Sequence, residues 1–322
     1  MVKVSVIVPV YNAGEYLRPC LDTLVNQTLR EIEIICVLDC PTDGSDKIVD
    51  EYAALDNRVV VVRNEHNLNI GESRNVGIRH ANGIYIGFSD HDDLHELNMY
   101  QELWNASDEG KRDMVLSGPM AKYCNSNASW SMLFCSFLGR RSTTHITPHI
   151  YRRQFIEEKN LHVIDNNVCS IEDTLFNLSF LDAMVEKENF MVVPSEFYHH
   201  RDSGSNTNLG YSHWAFNKVE YAVELAASMA EKNKMIGLDV HVALYQLAVK
   251  CFYTSFLRER KKNGLFHTLS LFRELKRKGG TCASLFSSMP IALSGLSLPK
   301  RLFLLFLKTC GRNPDMKCGK MC

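Results

Sequence analysis

The chain opens on an apolar run, Val4-Ser5-Val6-Ile7-Val8-Pro9-Val10, whose length and β-branched content predict a buried strand. A polar turn, Tyr11-Asn12-Ala13-Gly14-Glu15, follows, and Leu17, Leu21, Leu24 and Val25 then repeat at helical spacing. Asn12 is the expected N-cap of that helix, with Glu15 three residues later completing a capping box. Pro19 is tolerated because it falls in the first turns. Ile32 to Leu38 predicts a second strand ending at Asp39, and Asp43-Gly44-Ser45-Asp46 opens a helix that carries Ile48, Val49 and Tyr52. Val59 to Val62 predicts a third strand, followed by the polar stretch Asn64 to Gly71 and a helix beginning near Glu72-Ser73-Arg74-Asn75. Ile84 to Phe88 predicts a fourth. Such β-α-β-α-β-α-β alternation specifies an α/β fold, a mostly parallel central sheet with helices on both faces.

Beyond residue 95 the pattern is less regular. A helix is expected from Leu97 to Ser107, and Trp130, Phe134 and Phe137 are candidates for an acceptor groove, with core packing expected for at least two of them. From about Trp214 the periodicity is helical: Val240, Leu244, Leu247, Ala248, Cys251, Phe252 and Ser255 share one face. Basic stretches follow at Arg258 to Lys262, Leu265 to Lys278 and Leu298 to Lys308.

Polar side chains gather where the early strands end. Tyr11, Asp39 and Asn67 follow the first three, and Phe88 runs into Ser89-Asp90-His91-Asp92-Asp93. Open α/β sheets bind ligands outside the carboxyl ends of their strands. Three carboxylates within four residues repel one another, and a divalent cation removes that penalty; hard oxygen ligands suit Mg²⁺ or Mn²⁺. Without a cation, the stretch reads as a solvated acidic turn with Asp93 capping the next helix. A nucleotide fits the same edge: Tyr11 could stack on a base, Asp39 could accept from a base N–H, and Arg74 could meet phosphate beside a helix N-terminus. Singly, these three also read as a turn aromatic, a cap and a surface ion pair. Their joint placement favours a ligand.

These stretches resemble family 2 glycosyltransferases, inverting enzymes with the GT-A type of Rossmann-like nucleotide-sugar-binding fold. The resemblance is carried by Val4 to Asn12, Asn26-Gln27-Thr28, Val37 to Ser45, Asn67 to Gly77 and Ile84 to Asp93, and it extends to about residue 205. It implies a metal-dependent enzyme that moves a hexosyl or N-acetylhexosaminyl group from a nucleotide diphosphate sugar, UDP-sugar favoured, to a saccharide or lipid-linked acceptor in bacterial surface polysaccharide synthesis. It assigns Pro9, Tyr11, Asn12, Glu15, Asp39, Asn67, Gly71, Ser73, Arg74, Asp90, His91 and Arg201 to the donor. Asp90 and Asp92 are assigned to Mn²⁺ or Mg²⁺, with His199 or His200 as a further ligand. One departure is Leu38-Asp39-Cys40-Pro41, where the family usually shows Asp-Asp-Gly-Ser. Only the second carboxylate is retained, which leaves nucleotide binding intact and weakens the case for uridine over other bases.

An inverting displacement also needs a general base beside the acceptor hydroxyl. The resemblance of Cys169 to Phe176 to the family's Glu-Asp motif assigns Asp173 as that base, with Glu172 second. Unaided, two acids at a helix start are caps and dipole partners. Phe197 to Ser205 resembles the family's aromatic-Tyr-x-Arg…Ser segment, from which Arg201 would approach the diphosphate. Adjacent strand residues face opposite sides, so at most one of His199 and His200 points inward. Gly204-Ser205-Asn206-Thr207 is the expected loop closing over the donor.

Composition narrows the class without changing it. A chain of 322 residues, 45% hydrophobic and 23% charged, is globular rather than disordered. Its expected domains are a catalytic one at 1–212, divided into a nucleotide-binding half (1–95) and an acceptor-binding half (96–212), and a C-terminal α-helical, basic extension at 213–322. Eleven cysteines without a CxxC pair point to reduced thiols in the cytoplasm, and Cys318 and Cys322 alone make a poor zinc site. No signal peptide and no apolar stretch of about 18 residues are evident. Net charge is −1, yet Lys250 to Cys322 holds 15 Lys or Arg against three Asp or Glu. Basic helices with apolar faces point to an anionic membrane surface, at the inner face of the cell membrane, rather than to nucleic acid. Rival enzymes lack their motifs: no Gly-rich basic phosphate loop follows the first strand, as a nucleotidyltransferase needs, and no GxGxxG follows Val8, as a dinucleotide oxidoreductase needs. A non-catalytic sugar-nucleotide-binding or scaffold protein is the alternative of another class, and retention of Asp92 and Asp173 argues against it.

Overall fold

The apolar runs pair into a seven-stranded sheet in a computed structural model of the chain. Described are residues 1–118, 129–138, 145–165, 171–184, 189–201, 216–235, 240–249, 251–253, 256–257 and 260–261. The expected loop at 204–207, Ser255, the basic stretches of 265–278 and 298–308, part of the 258–262 cluster and the two tail cysteines lie outside the described residues.

The first four strands, β1 (Val4–Val10), β2 (Ile32–Leu38), β3 (Val59–Arg63) and β4 (Tyr85–Phe88), alternate with helices α1 (Leu17–Val25), α2 (Ser45–Leu55) and α3 (Asn69–His80). They pair in parallel in the order β3-β2-β1-β4. Every residue of β1 and β2 is buried, as continuous apolar runs in a parallel sheet require. After α4 (Met99–Asn105) come the strands β6 (Met114–Leu116), β7 (Ile150–Arg152), which runs on into the short helix α6 (Arg153–Glu158), and β8 (Phe190–Val192); the three strands extend the sheet in the order β4-β7-β6-β8. β7 runs antiparallel to both its neighbours and β8 parallel to β6. A separate antiparallel ribbon pairs β5 (Leu94–His95) with β9 (Tyr198–His199).

Because the chain winds outward from β1 to β3 and then crosses to β4 on the other side of β1, the topological switch point lies between β1 and β4. That is where α/β sheets open a ligand crevice. Pro9 sits in a central strand without penalty for the same reason. The carbonyl of Ile7 faces β4 and that of Val10 faces β2, so Pro9 faces the β4 side, where β4 has already ended. Its carbonyl accepts instead from His91 Nδ1 at 3.1 Å.

α3 lies tight against this edge through Gly77. A Cβ there would stand 2.3 Å from Ile7 Cγ2, and Ile7 is fully buried in β1. Gly77→Ala is therefore expected to destabilise the fold by roughly 1–3 kcal/mol, measured by denaturant unfolding. An unchanged midpoint would mean that α3 can back away from the sheet.

Local details bear on the sequence readings at four places. Asn12 does not cap α1: the entry is a short 3₁₀ turn at Gly14–Tyr16 without a side-chain cap, and Glu15 is exposed. The Asn12 side chain instead accepts, through Oδ1, from Thr42 N–H at 2.7 Å, tying the loops after β1 and β2 together. α3 starts three residues early, because Asn67 Oδ1 accepts from Asn69 N–H in an Asx turn. Asp93 caps no helix, since β5 follows it. Trp130, Phe134 and Phe137, on α5 (Trp130–Leu138), are all buried, which meets the expectation of core packing for at least two and extends it to the third; Trp130 Nε1 donates to the Leu181 carbonyl.

The chain divides into two units, residues 1–137 with 141–210, and 138–140 with 211–322. Within the second, a helix at Phe216–Lys232 buries Val219, Ala222, Val223 and Ala226. A further helical stretch buries Val240, Leu244, Leu247 and Ala248 at helical spacing. No described helix is long and apolar enough to cross a membrane.

Candidate active site

Two polar clusters form at the carboxyl ends of β1, β2 and β4. The first surrounds Asp39, which directly follows β2 and is buried. Its Oδ1 accepts from Leu68 N–H at 2.7 Å and from Asn64 Nδ2 at 2.8 Å, which leaves Oδ2 for another donor. Asn64 Nδ2 also lies 3.1 Å from Ser73 Oγ, and Asn67 Nδ2 donates to the Asp39 carbonyl. Ser73 and Gly71 are buried, so they shape this pocket from behind. Tyr11, at the end of β1, is 42% exposed, as a ring available for stacking must be. Asn64 was not foreseen, although the strand-end rule that singled out Tyr11 and Asp39 would have found it directly after β3.

The second cluster is the acidic turn. The β5–β9 ribbon carries residues 198–201 across to it, and every tie follows from that pairing. Asp90 N–H donates to the Tyr198 hydroxyl at 3.0 Å. Asp93 accepts from His200 Nδ1 and from Arg201 N–H, both at 2.8 Å. Burial of Asp93 opposes its ionisation, but these donors outweigh burial and hold its carboxyl below the ordinary aspartate range. Arg201 reaches the turn directly: its Nε donates to the Asp92 carbonyl and its Nη2 to the Tyr16 carbonyl at 2.7 Å, while the guanidinium stacks 5.0 Å from the Tyr16 ring. His199 points elsewhere, its Nε2 2.7 Å from Glu96 Oε1. His200 is thus the histidine beside the acidic turn, and it meets Asp93 rather than Asp90 or Asp92.

Among the described residues no three His, Cys, Asp or Glu side chains group to hold a metal by themselves. The donor set suits a different arrangement. Mg²⁺ and Mn²⁺ sites of phosphate-processing enzymes commonly use one or two carboxylates, substrate phosphates and water. The half-buried Asp92 at the strand tip provides such a carboxylate.

Between the acidic turn and the start of α7 (Glu172–Ala183) lies Arg74, which is 1% exposed. Its Nη2 donates to Asp90 Oδ1 at 2.8 Å and its Nη1 to Asp173 Oδ1 at 2.7 Å. Arg74 is therefore neither the surface ion pair nor the open phosphate contact that its helix position suggested. Burial works against Asp173's charge, but Arg74 first and His145 second overcome it and bring the carboxyl down to about 2. Asp90 moves the opposite way: burial raises it, Arg74 opposes, and the neighbouring carboxylates of Asp173, Asp93 and Asp92 add to the rise.

His145 had no signal in the sequence. Its Nδ1 lies 3.6 Å from Asp173 Oδ2, and its ring lies 4.4 Å from that of His200, so it joins the two halves of the site. Burial lowers its basicity, but Asp173 and Asp90 more than compensate and raise it.

Comparisons with known proteins address the family and the fold. Residues 5–169 match the family described as Glycosyl transferase family 2. The chain is 32% identical over 227 residues to the uncharacterized glycosyltransferase EpsJ of Bacillus subtilis, covering 65% of this chain and 64% of EpsJ. It is 39% identical over 117 residues to the poly(ribitol-phosphate) beta-glucosyltransferase of Bacillus spizizenii, covering 35% of this chain and 18% of that enzyme. The matched part thus spans less than two thirds of the length of either relative. S. aureus TarS 1–349 in complex with UDP-GlcNAc shares the fold with a TM-score of 0.69 at 21% identity, over 96% of this chain and 88% of that one. A match over just over half of the chain, on a sheet whose strand tips carry the polar clusters described above, makes this chain a member of glycosyl transferase family 2.

Proposed function

We propose that this chain is a metal-dependent, inverting glycosyltransferase that uses a UDP-sugar. The observation that carries the reading is the meeting of three parts at one sheet edge: the Tyr11 and Asp39 pocket, the acidic turn Asp90–Asp93, and Asp173. Tyr11 stacks on the base and Asp39 Oδ2 accepts from its N–H. Arg201 faces the diphosphate, and Asp92 is the carboxylate that would hold Mn²⁺ or Mg²⁺ there. The metal would supply charge neutralisation for the leaving diphosphate.

The acceptor hydroxyl oxygen attacks the anomeric carbon on the face opposite the diphosphate. The C–O bond to phosphate breaks and its electron pair leaves with UDP, while the hydroxyl proton passes to an Asp173 oxygen. A carboxylate held near 2 is a weak base toward a resting hydroxyl. It suffices once the new C–O bond forms, because an oxygen bonded to carbon, sugar and proton is strongly acidic. Proton transfer therefore follows bond formation rather than preceding it.

The transferred group is a hexose or N-acetylhexosamine, and the acceptor a saccharide or lipid-linked saccharide of a bacterial surface polymer. The UDP-GlcNAc bound to TarS and the glucosyl group in the name of the ribitol-phosphate enzyme support that class of transferred sugar. Thermal melting with UDP, UDP-glucose and UDP-GlcNAc, each with and without Mn²⁺, tests the donor. Ligand at about 100 times its Kd stabilises the folded state by about 2.7 kcal/mol, a rise of several degrees. That rise is expected only with Mn²⁺ present, and its absence for all three would sink the donor reading.

A further inference from the structure

We propose that Arg74 is a positioning residue that locks the donor-side carboxylate of Asp90 and the acceptor-side carboxylate of Asp173 into one unit, and that it does not bind the donor phosphates. The proposal rests on the reading of Asp173 as the base.

The geometry is that of a bridge. Two different guanidinium nitrogens reach two carboxylates, one 16 and the other 99 residues away along the chain. The planar fork of arginine holds both directions at once, which the single point charge of lysine does not. With its side chain 2% exposed and two of its nitrogens already on carboxylates, Arg74 is committed within the protein rather than presented to a phosphate. Its Nε is buried without a hydrogen-bond partner, a cost accepted to aim the other two nitrogens.

The bridge is also anchored. The neighbouring Asn75 exchanges two hydrogen bonds with the Val163 backbone, Nδ2 to the carbonyl at 2.9 Å and N–H to Oδ1 at 2.8 Å. Three residues on from Arg74, Gly77 presses α3 against Ile7 of β1. The guanidinium therefore projects from a helix fixed to the sheet, while Asp90 sits on a turn and Asp173 in the first turn of α7. Fixing both acids to one rigid post sets the separation between the leaving group and the attacking hydroxyl. Misplacement by about 1 Å at such a point costs on the order of 10²-fold in rate.

Arg74→Lys and Arg74→Met, compared with wild type, test this. Affinity for UDP with Mn²⁺ is measured by titration calorimetry. Turnover is measured as UDP release from whichever of UDP-glucose and UDP-GlcNAc the wild type uses. Both variants are expected to lose about 10²-fold in kcat while their UDP affinity stays within about threefold, and Lys should not rescue Met. Lysine is a good phosphate ligand, so loss of UDP affinity in Arg74→Met with recovery in Arg74→Lys would overturn the proposal and return Arg74 to the phosphates. Unchanged kcat with only a lower melting temperature would reduce it to a structural ion pair. Should Arg74→Met fail to fold, Arg74→Lys, which keeps the buried positive charge, decides; failure of both to fold counts against a positioning role. A wild type that neither binds UDP nor releases it overturns the donor reading itself, before any variant is compared.

Discussion

Asp173→Asn is expected to lower sugar transfer by about 10²–10⁴-fold and to leave UDP affinity within about threefold. Asparagine keeps the volume and can still accept from Arg74 Nη1, so the bridge to Asp90 is weakened but not emptied. What disappears is the carboxylate proposed to take the hydroxyl proton. A binding module on the same fold would show no turnover in either form, and equal turnover in both would move the base to Glu172. The same variant carries a second signature. Asp173 is held at about 2 in the fold against an ordinary aspartate value of about 3.9. A depressed carboxyl stabilises the fold fully above the higher value and loses that contribution as pH falls through the lower one. The wild-type melting temperature should therefore drop between about pH 4 and pH 2 by more than that of the Asn variant. Asp93, also depressed, is retained in both and cancels in the comparison.

Asp92→Asn is expected to abolish the dependence of UDP affinity on Mn²⁺ and to lower transfer by about 10²-fold or more. A metal shared with a diphosphate has few protein ligands, so each carries a large share of its affinity. Asp90 is a poor replacement, because its carboxylate is already bonded to Arg74 and its ionisation is opposed by burial. The measurement is calorimetric titration of UDP with Mn²⁺ present and with the metal removed by chelation. If the variant retains the full Mn²⁺ effect, the metal lies elsewhere along the diphosphate, with His200 and Asp93 the next pair to replace.

Residues 1–95 were legible as a parallel sheet because each element is set by its own pattern. Seven buried residues in β1 and seven in β2 call for mostly apolar runs, with buried Ser5 and Glu33 bonded to each other, and the order of strands and helices requires the crossovers. Capping was less legible. Asn12 has the residue type of an N-cap, yet its side chain is committed to Thr42 of the next loop, a tertiary contact that overrides a local preference. The aromatic residues of α5 illustrate the reverse: their type allows a sugar platform, but buried surroundings make them core.

The candidate site divides the same way. Tyr11, Asp39 and the acidic turn are placed by the ends of strands, and strand ends are written in a few consecutive residues. The sequence by itself determined, therefore, which acids and aromatics stand at the edge of the sheet. Only the tertiary structure decided what neutralises them. Arg74 meets Asp173 across 99 residues, His145 meets His200 across a ring contact, and Arg201 arrives on a two-residue ribbon. A buried charge takes whichever partner the packed elements bring within about 3 Å, and no local period encodes that choice.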